Sequence, residues 1–241
     1  MPKKQSNNVQ SILTALSFLV LGATIALVGT SISESSQANL GEVVVQNDTQ
    51  EEEQIIINVD EDNDAVMGDK DAPILMVEFS DYQCPFCRKF YNETLPQIKE
   101  NYIDTGLVRF AYRDLPLPSL GHTDATPAAN AAECAREQEG DEMYFSFHDK
   151  IFEGQNALGN GTVKIPSESL YSYAEELGLD MDAFTSCQEN LDYEDEIAAD
   201  SAVARSIGIN GTPAFVINGQ VVTGAYPYET FVEVFETILN Q

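Results

Sequence analysis

Val77-Glu78-Phe79-Ser80-Asp81-Tyr82-Gln83-Cys84-Pro85-Phe86-Cys87 is the stretch on which the rest of the chain hangs. Its first residues continue an apolar run that begins at Ile74, which reads as a buried strand. After the cysteines, Phe86, Phe90, Leu95, Ile98 and Tyr102 recur at near-helical spacing, predicting a helix from Pro85 to about Tyr102. Pro85 suits a first helical turn, where its missing N–H is not needed. Pro96 falls inside the span and predicts a kink, because it cannot donate to Asn92 and crowds that carbonyl. Cys84 is thereby placed at a helix N-terminus, where free N–H groups and the positive dipole end favour a thiolate. A thiolate is the nucleophile of thiol–disulfide exchange. A lone C-x-x-C is ambiguous between redox and zinc, but one at a strand-to-helix junction points to redox.

The chain has 241 residues, enough for one or two domains, and 43% hydrophobic residues, enough for a sizeable core. Its formal charge of −28 argues against binding nucleic acid or anionic lipid through a general field. Adaptation to high salt and a merely acidic surface with an acidic linker account for that charge equally well. Four cysteines, Cys84, Cys87, Cys134 and Cys187, permit three pairings in full oxidation. An even count beside a membrane-export signal suggests an oxidising compartment. No second close pair and no neighbouring His supports zinc, so no metal is expected. No cofactor is expected either.

That export signal is the uncharged, mostly apolar run from Ile12 to Val28, which continues through small residues to about Ile32. It is long enough to cross a bilayer as a helix, for which about 20 residues are needed. A cleaved signal has a shorter apolar region of roughly 7–15 residues, so residues 1–33 are expected to be an uncleaved anchor. Lys3 and Lys4 before the run and acids after it put the N-terminus in the cytoplasm and the rest outside, as a single-pass protein of the cell membrane. Residues 34–64 carry many acids and no Lys or Arg, the composition of an extended linker. Within it, Ile55-Ile56-Ile57 is a candidate edge strand.

The folded domain is expected over 65–241. A second strand follows the first helix at Leu107 to Tyr112, parallel to the first. Residues of about 114–205 have mostly helical patterns and form a helical insertion in an α/β frame. Asn218-Gly219 between two apolar runs is a hairpin signal, with Thr212-Pro213 leading its first strand. Phe231, Val234, Phe235 and Ile238 give a closing helix. His122 and His148 are expected to serve a loop and a helix surface. Arg88 and Lys89 either assist the thiolate electrostatically or are simply exposed.

This order of elements resembles the thioredoxin fold with a helical insertion, as in the DsbA-like family of exported thiol–disulfide oxidoreductases. The resemblance is carried by residues 77–87 and by Gly211-Thr212-Pro213-Ala214-Phe215-Val216-Ile217-Asn218-Gly219, and it covers roughly residues 65–241. It implies that Cys84 is the exposed attacking cysteine and Cys87 the more buried resolving one. It also implies a cis Thr212–Pro213 bond against the disulfide, leaving the Thr212 backbone free to pair with an extended substrate. Glu78 lies six residues before Cys84 inside the apolar strand. Buried there, its pKa would rise by desolvation and it would take and return the proton of Cys87, as related folds place an acid at this spacing. The plain alternative is a Glu on an exposed strand face. The resemblance further suggests a structural Cys134–Cys187 disulfide, stabilising by roughly 3–4 kcal/mol, with an electron relay as the alternative. The strongly oxidising DsbA enzymes carry His where Phe86 stands. The Cys84 pKa is therefore expected to be lowered, though less than the ~3.5 of those enzymes, with a milder potential.

The function implied is a membrane-anchored, extracytoplasmic enzyme that introduces disulfides into cysteine-containing exported proteins. A membrane partner of the DsbB or VKOR type would reoxidise it. A reductase or isomerase is the second reading. The third is a non-catalytic anchored chaperone or binding module, which predicts that Cys84→Ser keeps all function. A monomer is the default expectation.

Overall fold

The computed structural model describes residues 57–241. The expected anchor and most of the acidic linker lie outside the described residues. Among those described, no helix is long and apolar enough to cross a membrane.

Five strands form one sheet in the order β1-β3-β2-β4-β5. They are β1 (Ala65–Met67), β2 (Ile74–Ser80), β3 (Val108–Asp114), β4 (Ala214–Ile217) and β5 (Gln220–Thr223). The central pair, β2 and β3, is parallel, as the strand–helix–strand order requires. The pairs β1–β3, β2–β4 and β4–β5 are antiparallel. Asn218 and Gly219 join β4 to β5 with φ of 44° and 90°, the left-handed pair a two-residue hairpin demands. Asn218 also ties the turn to the sheet, its side chain accepting from the Leu75 N–H at 2.8 Å.

Period-two alternation along β2 decides which residues meet the active cysteines. Ile74, Met76 and Glu78 face the larger core, where α1 (Pro85–Glu93), α2 (Leu95–Ile98) and the closing helix α8 (Tyr228–Leu239) pack. There Phe90 stacks within 4.6 Å of Phe215, which meets Phe231 at 5.0 Å. Val77 and Phe79 face the other way, into a smaller core with Ala111, Ala204, Ile209 and Val216. The insertion supplies α3 (Ala125–Glu139), α4 (Asp141–Asn156), α5 (Ser167–Leu177), α6 (Met181–Asn190) and α7 (Glu194–Ser206). This is the expected thioredoxin-type frame with a helical insertion.

Three expectations need correction. The first helix does not run on to Tyr102 with a kink at Pro96. It stops at Thr94, and Pro96 sits in the first turn of α2, where a missing N–H costs nothing. A π-helical turn, Lys99–Ile103, completes the segment. Second, the strand beside β3 at the sheet edge is Ala65–Met67, which the sequence did not mark; of the Ile run, Ile55 and Ile56 lie outside the described residues, and Ile57 gives its N–H to the Gly219 carbonyl at 3.1 Å. Third, the acidic residues just before 65 are part of the fold. Asp64 pairs with buried Arg113 at 2.5 Å, and Glu61 with Arg109 at 2.5 Å. Those partners lie 49 and 48 residues further on, beyond the reach of local pattern.

Candidate active site

The site is built on the turn between β2 and α1. Cys84 is the N-cap of α1, with Pro85 in the first turn. Its N–H bonds the Asp81 carbonyl at 2.9 Å. The carboxylate of Asp81 fixes the same turn: it accepts from the N–H groups of Gln83 and Leu117, each at 2.7 Å, and lies 2.8 Å from His122 Nδ1. Both cysteines are free thiols. Cys84 keeps 5% of its surface open and Cys87 none. The nucleophile is therefore reached through a narrow opening rather than standing exposed as expected. Beside it Phe86, 61% exposed, projects outward.

The Thr212–Pro213 bond is cis, and the Thr212 carbonyl accepts from Cys84 Sγ at 3.4 Å. Cys84 is pulled from 9.0 to about 6. The hydrogen bond from the Cys87 thiol is the main cause; the Thr212 side-chain hydroxyl, not its carbonyl, and the N–H groups of Cys87 and Phe86 add to it against the cost of burial. Cys87 moves the opposite way, well above 9.0, because it is buried and spends its S–H on Cys84. Only one thiol of the pair is thus held ready as a thiolate.

Glu78 is 2% exposed and faces the same core as the cysteines, not a solvated strand face. Burial raises it from 4.5 to about 8, although Ser80 Oγ donates to Glu78 Oε1 at 2.8 Å. Ser80 also bears on Cys87, so Glu78, Ser80 and Cys87 share one buried corner.

A polar layer unread in the sequence supports this corner. Arg88 is buried, not exposed, and donates to the carbonyls of Gly159 and Gly161 at 2.6 and 2.9 Å and to Gln155 Oε1 at 3.3 Å. Gln83 donates to the Val163 carbonyl at 2.9 Å and accepts from the Asp124 N–H at 2.6 Å. His122 meets Thr162 Oγ1 at 3.3 Å. Residues 159–163 are thereby fastened to the active turn. His148 is not at a helix surface: it is buried among Tyr112, Phe152 and Tyr91 at 4.8, 4.9 and 5.4 Å. Its spacing from Tyr144, Ile151 and Phe152 on α4 was the available signal. Within the insertion, Cys134 and Cys187 form a disulfide between α3 and α6.

A thiolate-holding helix N-terminus, a buried partner thiol and a cis X-Pro carbonyl within reach of the sulfur define a dithiol–disulfide exchange centre on a thioredoxin-type frame. Comparison with known proteins agrees. The thioredoxin family model matches residues 60–237. The probable disulfide bond formation protein D of Bacillus cereus is 31% identical over 157 residues, covering 64% of this chain and 70% of the relative. The Na(+)/H(+) antiporter NhaA 3 of Salinispora tropica is 34% identical over 175 residues, covering 73% of this chain; the chain spans only 24% of that antiporter. Among solved structures, Wolbachia pipientis alpha-DsbA1 superposes with a TM-score of 0.63 at 28% identity, covering 74% of this chain and 92% of that one. Oxidised BdbD from Bacillus subtilis shares the fold, with a TM-score of 0.67 at 24% identity over 74% and 94% of the two chains. The chain belongs to the thioredoxin family and, within it, to the DsbA-like thiol–disulfide oxidoreductases.

Proposed function

We propose that the chain is a membrane-anchored, extracytoplasmic enzyme that introduces disulfides into exported proteins. The observation that carries the reading is the asymmetry of the two thiols, Cys84 lowered to about 6 and Cys87 raised. A thiolate stabilised in the reduced enzyme makes the corresponding disulfide a better oxidant. In the forward reaction a substrate thiolate attacks Cys84 of the oxidised pair. The Cys84–Cys87 bond breaks, and Cys87 leaves with the electron pair and takes a proton from Glu78. A second substrate thiolate then attacks the substrate sulfur of the mixed disulfide and releases Cys84 as thiolate. The Thr212 backbone at the cis bond offers an extended substrate a strand to pair with. Cys134–Cys187 serves structure, not electron relay, since it joins two helices of the insertion and neither cysteine has a C-x-x-C partner. The apolar run 12–32 anchors the enzyme, and a membrane partner of the DsbB or VKOR type restores the disulfide.

The test mixes the oxidised full chain with a reduced, unfolded protein carrying cysteine pairs. We expect one substrate disulfide gained per Cys84–Cys87 pair reduced, and none with Cys84→Ser. A substrate that stays reduced, or an enzyme that only opens substrate disulfides, contradicts the proposal.

A further inference from the structure

α1 and the loop before α5 enclose a cleft of about 390 Å³ beside the exchange dipeptide. Pro85, Phe86, Arg88 and Lys89 line it from the helix, and Gly159 and Asn160 from the loop. Pro85 and Phe86 are the two residues between the reactive cysteines, so an occupant of the cleft lies against the dipeptide itself. The exchange steps at Cys84 and Cys87 make no use of this space. Asn92 and Asn156 also line it, their amides spent on each other at 2.8 and 3.0 Å.

Arg88 sets the charge of the cleft. It is 4% exposed. Of the five N–H groups of a guanidinium, four are spent here: two on the Gln155 carbonyl and Oε1, and two on the carbonyls of Gly159 and Gly161. The remaining one, on Nε, has no acceptor among the described residues. Carbonyl oxygens satisfy hydrogen bonds but bring no counter-charge, and a buried ion without one is costly. The other arginines withdrawn from solvent each have one: Arg109 pairs with Glu61, Arg113 with Asp64 and Arg136 with Asp141. Arg88 pairs with no carboxylate among the described residues, in a chain with 40 acidic side chains. Burial lowers its pKa, and the Cys84 thiolate is the anion that opposes this. Lys89 adds a second cation. Its ammonium lies 3.9 Å from Glu93 Oε2 with both side chains more than half exposed, a pairing worth little in water. Glu93 lines the cleft as well, so the fixed charges there are two positive and one negative, against −28 for the whole chain.

We propose that this cleft is a substrate subsite for an acidic side chain lying within a few residues of the substrate cysteine, its carboxylate meeting Arg88 and Lys89. The inference rests on the reading of the chain as an enzyme that oxidises substrate thiols. The exposed ring of Phe86 gives the methylenes of that side chain an apolar wall. The net charge of the chain repels an acidic partner at range, but salt screens that repulsion beyond about 8 Å at physiological ionic strength. Selection then falls to the charges in contact at the cleft.

The test uses the oxidised full chain and dithiol peptides that differ at one position, occupied by Glu, Gln or Lys. Separate sets place that position one, two or three residues to either side of the first cysteine. In each turnover the peptide disulfide forms and its electron pair breaks the Cys84–Cys87 bond. One peptide proton passes to Cys87 and the other to solvent, since Cys84 leaves as thiolate. Single-turnover rates across peptide concentration, at about 0.15 M salt, give a half-saturating concentration. In at least one set the Glu peptide is expected to half-saturate at about one fifth of the concentration the Gln peptide needs, and the Lys peptide above both. Lys89→Gln should remove most of that difference, and Lys89→Glu should reverse the order of the Glu and Lys peptides. Comparing enzymes on one peptide set cancels the peptides' own thiol chemistry. Lys70→Gln, which removes the same charge from an exposed site on the turn before β2, should leave the order intact. Equal half-saturation by Glu and Gln peptides in every set overturns the subsite while the oxidising function stands. So does a preference that both Lys89 variants leave untouched. If no peptide is oxidised, the functional reading fails and the subsite falls with it.

Discussion

At the scale of single residues, Glu78 is kept at a cost to stability. Its carboxyl is raised from 4.5 to about 8 by burial, so the folded chain binds that proton more tightly than the unfolded chain does. The contribution is fully present below the ordinary carboxyl range and is lost as pH rises through about 8. Glu78→Gln does not titrate. Relative to the unmodified protein it should therefore gain up to about 5 kcal/mol between acid and mildly alkaline pH, read from denaturant unfolding. No gain across that window means Glu78 is solvated. The residue itself was legible, because an acid inside an apolar strand six before Cys84 breaks the pattern around it.

At the scale of elements, the active turn and the loop before α5 behave as one unit. Arg88 holds that loop by two carbonyls, Gly159 and Gly161, from a buried position on α1. Hydrogen bonds to a charged donor are worth more than neutral ones, and the freed carbonyls would need new partners. Arg88→Ala should cost about 2 kcal/mol and open the loop to limited proteolysis between residues 157 and 164. Unchanged stability and cleavage would mean the clamp is idle. The sequence offered Arg88 as an exposed or thiolate-directed cation because its acceptors are backbone carbonyls 71 and 73 residues away, which carry no side-chain signature. The strand, helix start and hairpin were readable because their signals are local: period, Pro85 and Asn218-Gly219. The break at Thr94 shows the limit of that locality. Proline marks where a helix cannot continue, while the neighbouring chain decides which residue takes the cap; here Thr94 Oγ1 donates to the Tyr226 carbonyl at 3.0 Å.

At the scale of the whole molecule, the insertion is braced by Cys134–Cys187, which closes a separation of 53 residues. Replacing both cysteines by Ala should lower stability by roughly 3–4 kcal/mol in the chain-entropy model, while exchange at Cys84–Cys87 continues. Loss of exchange in a still-folded variant would favour a relay role. The net charge of −28 is likewise a property of the whole chain, and part of it is spent inside the fold: the acids at 61 and 64 neutralise Arg109 and Arg113. Composition could count those charges but not say which of them were paired.

The central claim is that the site is built to take electrons, and it is tested most directly by the equilibrium reduction potential of Cys84–Cys87 against glutathione. The full chain would be used, with alkylation and mass spectrometry identifying the responding pair. The thiolate held at Cys84 predicts about −120 to −200 mV, the range of an oxidant. A value near −270 mV would contradict the account and mark the protein as a reductase.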